Sequence, residues 1–202
     1  MQRVIAHIVS GLLHPLIMPS LGVLFIFFTS SHIILLPYEA QRIILIIVAI
    51  NTLVLPMLMI PLFYRFGIIK SIQMKNHRER IIPLAFTLIP YIFSYYFLNR
   101  LPIVSEISLF MLGAALTVFF TLIISIWWKI SVHMVGVGGL FGLLYALTFL
   151  FQANNIWVIL VVIAATGIVA WARLTLNAHK PSQVYAGFIL GAVVVSAMVV
   201  LV

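Results

Sequence analysis

Residues 107–128 read ISLFMLGAALTVFFTLIISIWW, a run without one charged side chain. An α-helix rises 1.5 Å per residue, so about 20 such residues cross the hydrocarbon core of a bilayer. Six more stretches share this character, at about 11–36, 43–64, 81–98, 134–151, 156–172 and 184–202. The stretch at 81–98 is short and carries Pro90, so six spans stand as the alternative to seven. Of the 202 residues, 65% are hydrophobic and only 7% are charged, and the mean hydropathy is +1.29. A soluble domain devotes about a quarter of its residues to charge, so a soluble enzyme and a nucleic-acid binder are both excluded. The reading is an all-α fold, a polytopic transmembrane helical bundle of about seven (six to seven) spans, with residues 1–202 as a single integral membrane domain.

The opening Met1-Gln2-Arg3-Val4 runs into the first apolar stretch without a small-residue cleavage site, so it reads as the start of a retained span. Prolines inside the spans, such as Pro15, Pro56 and Pro90, are tolerated where neighbouring helices satisfy the freed carbonyls. Small residues such as Gly113, Ala114, Ala115, Gly136, Gly138, Gly139, Gly142, Gly187 and Gly191 let helix backbones approach closely. The absence of cysteine excludes disulfides, thiolate metal sites and a cysteine nucleophile.

Charge is distributed unevenly. With alternating spans, one end of the bundle receives Arg3, Arg65, Lys70, Lys75, Arg78, Arg80, Lys129, Arg173 and Lys180, while the other receives only Arg42 and Arg100. The positive-inside rule places the basic end in the cytoplasm. Three connections at this end carry nearly all the reactive side chains: Lys70 through Pro83, Trp127 through His133, and Trp171 through Gln183. Several Lys and Arg with two His and little acid suit a phosphate, because charge-assisted hydrogen bonds are strong and Arg offers a planar bidentate fork. The competing reading of each single cation is an anchor to lipid headgroups. His14, beside Pro15, is a functional candidate by its depth in the membrane, but without an acidic partner it reads as a structural hydrogen-bonding group. Asn51 reads as glue between helices. His7, His32 and His77 are interfacial and take no role. With three acids in the chain, a carboxylate-held metal is not expected.

Arg173 and His179 lie six apart, with Gln183 four further on. This spacing resembles the third signature of the type-2 phosphatidic acid phosphatase (lipid phosphatase / haloperoxidase-like) superfamily: Ser-Arg, five residues, His, three residues, Asp. Ile130-Ser131-Val132-His133 is similar to the second signature, Pro-Ser-Gly-His, and Lys75 through Ile82-Pro83 is similar to the first, Lys, six residues, Arg-Pro. The order is kept, and the resemblance covers roughly residues 40–202. The chain departs from the pattern at Ile82 for Arg, Ala172 for Ser and Gln183 for Asp, and at Ile130 and Val132 for Pro and Gly.

The resemblance implies a phosphohydrolase that needs neither metal nor cofactor. His179 is the implied nucleophile, His133 the general acid, and Gln183 the group that orients His179. Lys75 and Arg173, with Arg80 or Arg78 in place of the missing Arg, are the implied phosphate ligands. The implied partners are membrane lipids and an anionic lipid phosphate or diphosphate substrate, not nucleic acid. The location expected is the cell membrane, the inner membrane in a bacterium. Family members that process envelope lipids present the site outside the cytoplasm, against the basic count. A binding or transport protein without hydrolysis, and a structural subunit of a membrane complex, remain the alternatives.

Overall fold

Long apolar stretches become helices because a backbone in hydrocarbon must satisfy its own N–H and C=O groups. The computed structural model describes residues 1–29, 36–72, 74, 76–101, 105–151 and 156–201, and these contain helices and no strand. In chain order the helices are α1 (Gln2–Leu12), α2 (Met18–Thr29), α3 (Tyr38–Ala49), α4 (Leu55–Arg65), α5 (Ile81–Leu98), α6 (Ser105–Ser125), α7 (Val132–Phe151), α8 (Ile156–Thr175) and α9 (Pro181–Leu201). A 3₁₀ turn at Pro15–Ile17 leads into α2, a wide π turn at Ile50–Val54 joins α3 to α4, and a 3₁₀ turn at His77–Arg80 leads into α5. Seven helical segments are long and apolar enough to cross a membrane: Gln2–Thr29, Tyr38–Arg65, His77–Leu98, Ser105–Ser125, Val132–Leu150, Ile156–Thr175 and Pro181–Leu201. The protein is therefore an all-α, multi-pass membrane bundle, and the short stretch at 81–98 counts among its spans as α5.

The first segment differs most from the sequence reading of 11–36. Helix begins at Gln2 and breaks at Leu13-His14 before α2 resumes it, while residues 30–35 lie outside the described residues. Arg3 and His7 dilute the hydropathy of 2–12, but the helix is two-faced. Ala6 and Ser10 are buried, whereas Val4, Ile5, Ile8 and Leu12 are exposed. Through its buried face α1 packs on α8.

At the centre stands α7, in contact with α2, α6, α8 and α9, and its Leu143, Leu144 and Leu147 are fully buried. The tightest contact is with α9. A Cβ built on Gly138 would overlap the Phe188 carbonyl, one on Gly142 the Ala192 carbonyl, and one on Gly191 the Val135 carbonyl. Gly187 is held 2.7 Å from the Ser131 oxygen by the same measure. Both helices carry glycine at i and i+4, and the pairs advance in step, so α7 and α9 run parallel and start together at the basic end. Only the absence of a side chain permits this approach.

Candidate functional site

Because α7 and α9 start side by side, the Ser131 N–H donates to the Gln183 carbonyl at 3.2 Å. This brings His133, on the first turn of α7, and His179, just before α9, to one cavity. Arg80, at the end of the turn before α5, Lys129, before α7, and Arg173, in the last turn of α8, line the same cavity. The three basic connections thus meet.

Each of these groups is held by the chain around it. Arg80 is buried, donating from Nε to the Met74 carbonyl at 3.3 Å and from Nη1 to the Ile130 carbonyl at 3.1 Å. His179 Nδ1 lies 3.1 Å from Gln183 Oε1, and the Lys180 backbone N–H lies 3.1 Å from that same atom. A backbone N–H only donates, so the shared atom is the carbonyl oxygen and Nδ1 carries the hydrogen. Nε2 of His179 is left with the lone pair. His133 Nε2 lies 3.1 Å from the Ser10 carbonyl, and Arg173 Nη1 donates to Ser10 Oγ at 3.3 Å. Arg173 Nε is buried without a hydrogen-bond partner.

The cavity measures about 1190 Å³ and has two unlike ends. Arg3, Arg80, Lys129, Arg173, His7, His14, His133 and His179 line one part, and none of the chain's three acids lines any of it. The rest is mostly apolar, lined by Leu55, Met59 and Phe63 of the α4 segment, Phe86, Ile89 and Phe93 of α5, and Phe110, Leu140 and Val195, with Asn51, Thr87, Tyr91 and Thr117 among them. Arg80 and Phe93 are thirteen residues apart along α5, so the cavity reaches about 20 Å from its basic end. Among the described residues none of the four cations is ion-paired, and no group of three His, Asp or Glu side chains is placed to hold a metal ion.

Burial and crowded positive charge both act on the ionisable groups at this end. Burial first, then the guanidinium groups of Arg80 and Arg173, and least the Lys129 ammonium, push the His179 imidazole down to about 3, against its hydrogen bond to Gln183 Oε1, which raises it. Burial, then Arg80 and Arg173, also lower Lys129. At neutral pH His179 is uncharged, the form in which Nε2 can act as a nucleophile.

The residues singled out from sequence divide clearly. His133, Arg173, His179 and Arg80 meet at the cavity, with Gln183 buried behind His179. Arg78 does not join them, being exposed and off the cavity wall. Lys75 and His32 lie outside the described residues. Ile82 is 43% exposed and off the cavity wall, and the guanidinium that this turn brings to the cavity is that of Arg80. His77 faces the Ser125 carbonyl at 2.9 Å and joins the turn before α5 to the end of α6.

Sequence reasoning put the first span at about 11–36 and gave Arg3, His7 and Ser10 no part in the site. Arg3, His7 and His14 line the cavity, and Ser10 touches two of its residues. His14 accepts from the Leu16 N–H at 3.4 Å, the structural bond expected of it, but its ring also stands edge-on to His133, centroids 5.4 Å apart. The available signal was spacing, because residues 3, 7, 10 and 14 fall on one helical face.

No family model matches this chain, and no curated protein or solved structure does either. The functional reading rests on the site itself.

Proposed function

We propose that this protein binds a lipid phosphate or diphosphate and hydrolyses it through a phosphohistidine on His179. The observation that carries this reading is the cavity's lining: four cations and four imidazoles without a carboxylate, together with a long, mostly apolar wall. A multivalent anion offsets the mutual repulsion of the first part, and a hydrocarbon chain fits the second. A free phosphate would leave the apolar part without a purpose. Phe86, Ile89 and Phe93 line the cavity and are also exposed on α5, so a lipid chain has a side route between helices. The resemblance of the three basic connections to the type-2 phosphatidic acid phosphatase signatures points to the same chemistry.

In this reading Nε2 of His179 attacks phosphorus while Arg80, Lys129 and Arg173 hold the phosphoryl oxygens and stabilise charge as it develops. The bond from phosphorus to the leaving oxygen, that of a lipid alkoxide or of a lipid monophosphate, breaks, and this oxygen takes a proton from His133, whose imidazolium form is favoured only once the anion offsets the surrounding positive charge. Water then cleaves the phosphorus–nitrogen bond, returning a proton to His133 and releasing inorganic phosphate. Gln183 keeps the His179 hydrogen on Nδ1, as an Asp would, but brings no charge to the cationic phosphohistidine. The arrangement therefore gives slow turnover. The same residue favours the second reading, a lipid-phosphate binding protein that does not hydrolyse. The membrane proposed is the cell membrane, the inner one in a bacterium, with membrane lipids as the immediate partners.

The test is phosphate release from phosphatidic acid, a polyprenyl phosphate and a polyprenyl diphosphate in lipid nanodiscs. Release by the native protein should fall to background in His179→Ala. If the native protein releases phosphate no faster than the variant from all three, hydrolysis is ruled out.

A further inference from the structure

The carbonyl that meets His133 has no partner within its own helix. In an α-helix the Ser10 carbonyl would accept the N–H of residue 14. Here α1 ends at Leu12, Leu13 N–H returns to the Val9 carbonyl, and His14 is extended, with φ −68° and ψ 138°. Pro15 imposes this, because proline pushes the residue before it out of the helical region and offers no N–H to the Gly11 carbonyl. The break leaves Ser10 among the last carbonyls of α1, which lack helical partners and carry the negative end of its dipole.

We propose that Ser10 is a positioning residue of the candidate site, its main-chain carbonyl setting the tautomer of His133 and its hydroxyl holding Arg173. A carbonyl oxygen only accepts, so Nε2 of His133, 3.1 Å away, carries the hydrogen and Nδ1 is the ring's free nitrogen. The hydroxyl of the same residue receives Arg173 Nη1 at 3.3 Å. Ser10 is buried between them, as an orienting contact requires. One residue of α1 thus aligns two groups from α7 and α8, and the His14-Pro15 pair is what makes its carbonyl available.

The consequence for ligand rests on the proposed lipid-phosphate reading, but the tautomer can be measured without a ligand. Histidine-¹⁵N solid-state NMR on the native protein in phosphatidylcholine nanodiscs, with His133 assigned by its loss in His133→Gln, should show Nε2 protonated and Nδ1 bare. Pro15→Ala should shift the ring towards Nδ1–H, because a continued helix returns the His14 N–H to the Ser10 carbonyl. Ser10→Ala should keep the native tautomer yet weaken binding of phosphatidic acid about tenfold, with Ser10→Thr restoring it. A native His133 protonated at Nδ1, an unchanged tautomer in Pro15→Ala, or equal affinity in Ser10→Ala and native protein would overturn the assignment. A native protein that shows the Nε2–H tautomer but binds no phosphatidic acid supports the positioning of His133 and sinks the lipid-phosphate reading instead.

Discussion

Two sides of α7 are built in opposite ways. Towards α9 the backbones touch, and glycine is the only residue that fits at 138, 142 and 191. Towards α1, α4 and α5 the same helix lines an open cavity with unpaired cations. The dense side fixes where His133 and His179 start, and it supplies packing that offsets the cost of gathering unpaired charge away from water. The open side is then free to be shaped by what it binds.

The largest effect should come from breaking the dense side. Gly191→Leu drives side-chain atoms into the Val135 carbonyl and the Gly139 nitrogen, and should cost about 3 kcal/mol or more. Ile89→Ala, on the exposed cavity wall, should stay within about 0.5 kcal/mol. Thermal unfolding in detergent compares the two. Equal losses would erase the distinction between the sides.

A smaller effect is expected inside the site. Gln183→Asp supplies the missing charge beside His179 and should raise phosphate release at least about tenfold, as judged against the far larger loss when a triad Asp becomes neutral. An unchanged rate would mean that His179 forms no cationic intermediate.

The pH dependence sharpens the electrostatic half of the comparison. His179 is depressed to about 3 from the ordinary 6.5, so protonation favours the unfolded chain. Its contribution to stability is complete above about 6.5 and is drawn down as pH falls towards 3. Followed by NMR, the His179 ring should titrate near 3. A midpoint near 6.5 would describe a site as wet and as neutral as solution.

The smallest effect is a gain. Gly167 on α8 has nothing within 4 Å of a built Cβ, so Gly167→Ala should stabilise the helix by about 0.5–1 kcal/mol. A loss at this position would place an unseen neighbour against α8.

Most of the bundle was legible because hydropathy accumulates over twenty residues. Even α5, with Pro90 in its middle, could be read at its full length. Small residues that allow close approach could be read, but only the structure shows that those at 138, 142, 187 and 191 pair α7 with α9. The site was legible only where side chains carried the signal, at His133, Arg173 and His179. Arg78 and Arg80 are indistinguishable by composition, and the turn at His77–Arg80 decides that Arg80 faces inward while Arg78 does not. Ser10 was hidden because its part is played by a backbone carbonyl, which every residue has, and only Pro15 hinted that this one was free. The first span was bounded too late, at about 11 instead of Gln2, because Arg3 and His7 lower the average that reveals the other spans.

The most direct measurement is lipid selectivity. Nanodisc-reconstituted native protein and the Arg80→Gln/Arg173→Gln variant should be titrated with phosphatidic acid and with diacylglycerol of the same chains, and bound lipid counted by native mass spectrometry. The account predicts that the native protein prefers phosphatidic acid and that the variant loses this preference while still taking up diacylglycerol. Equal binding of the two lipids by the native protein would contradict it.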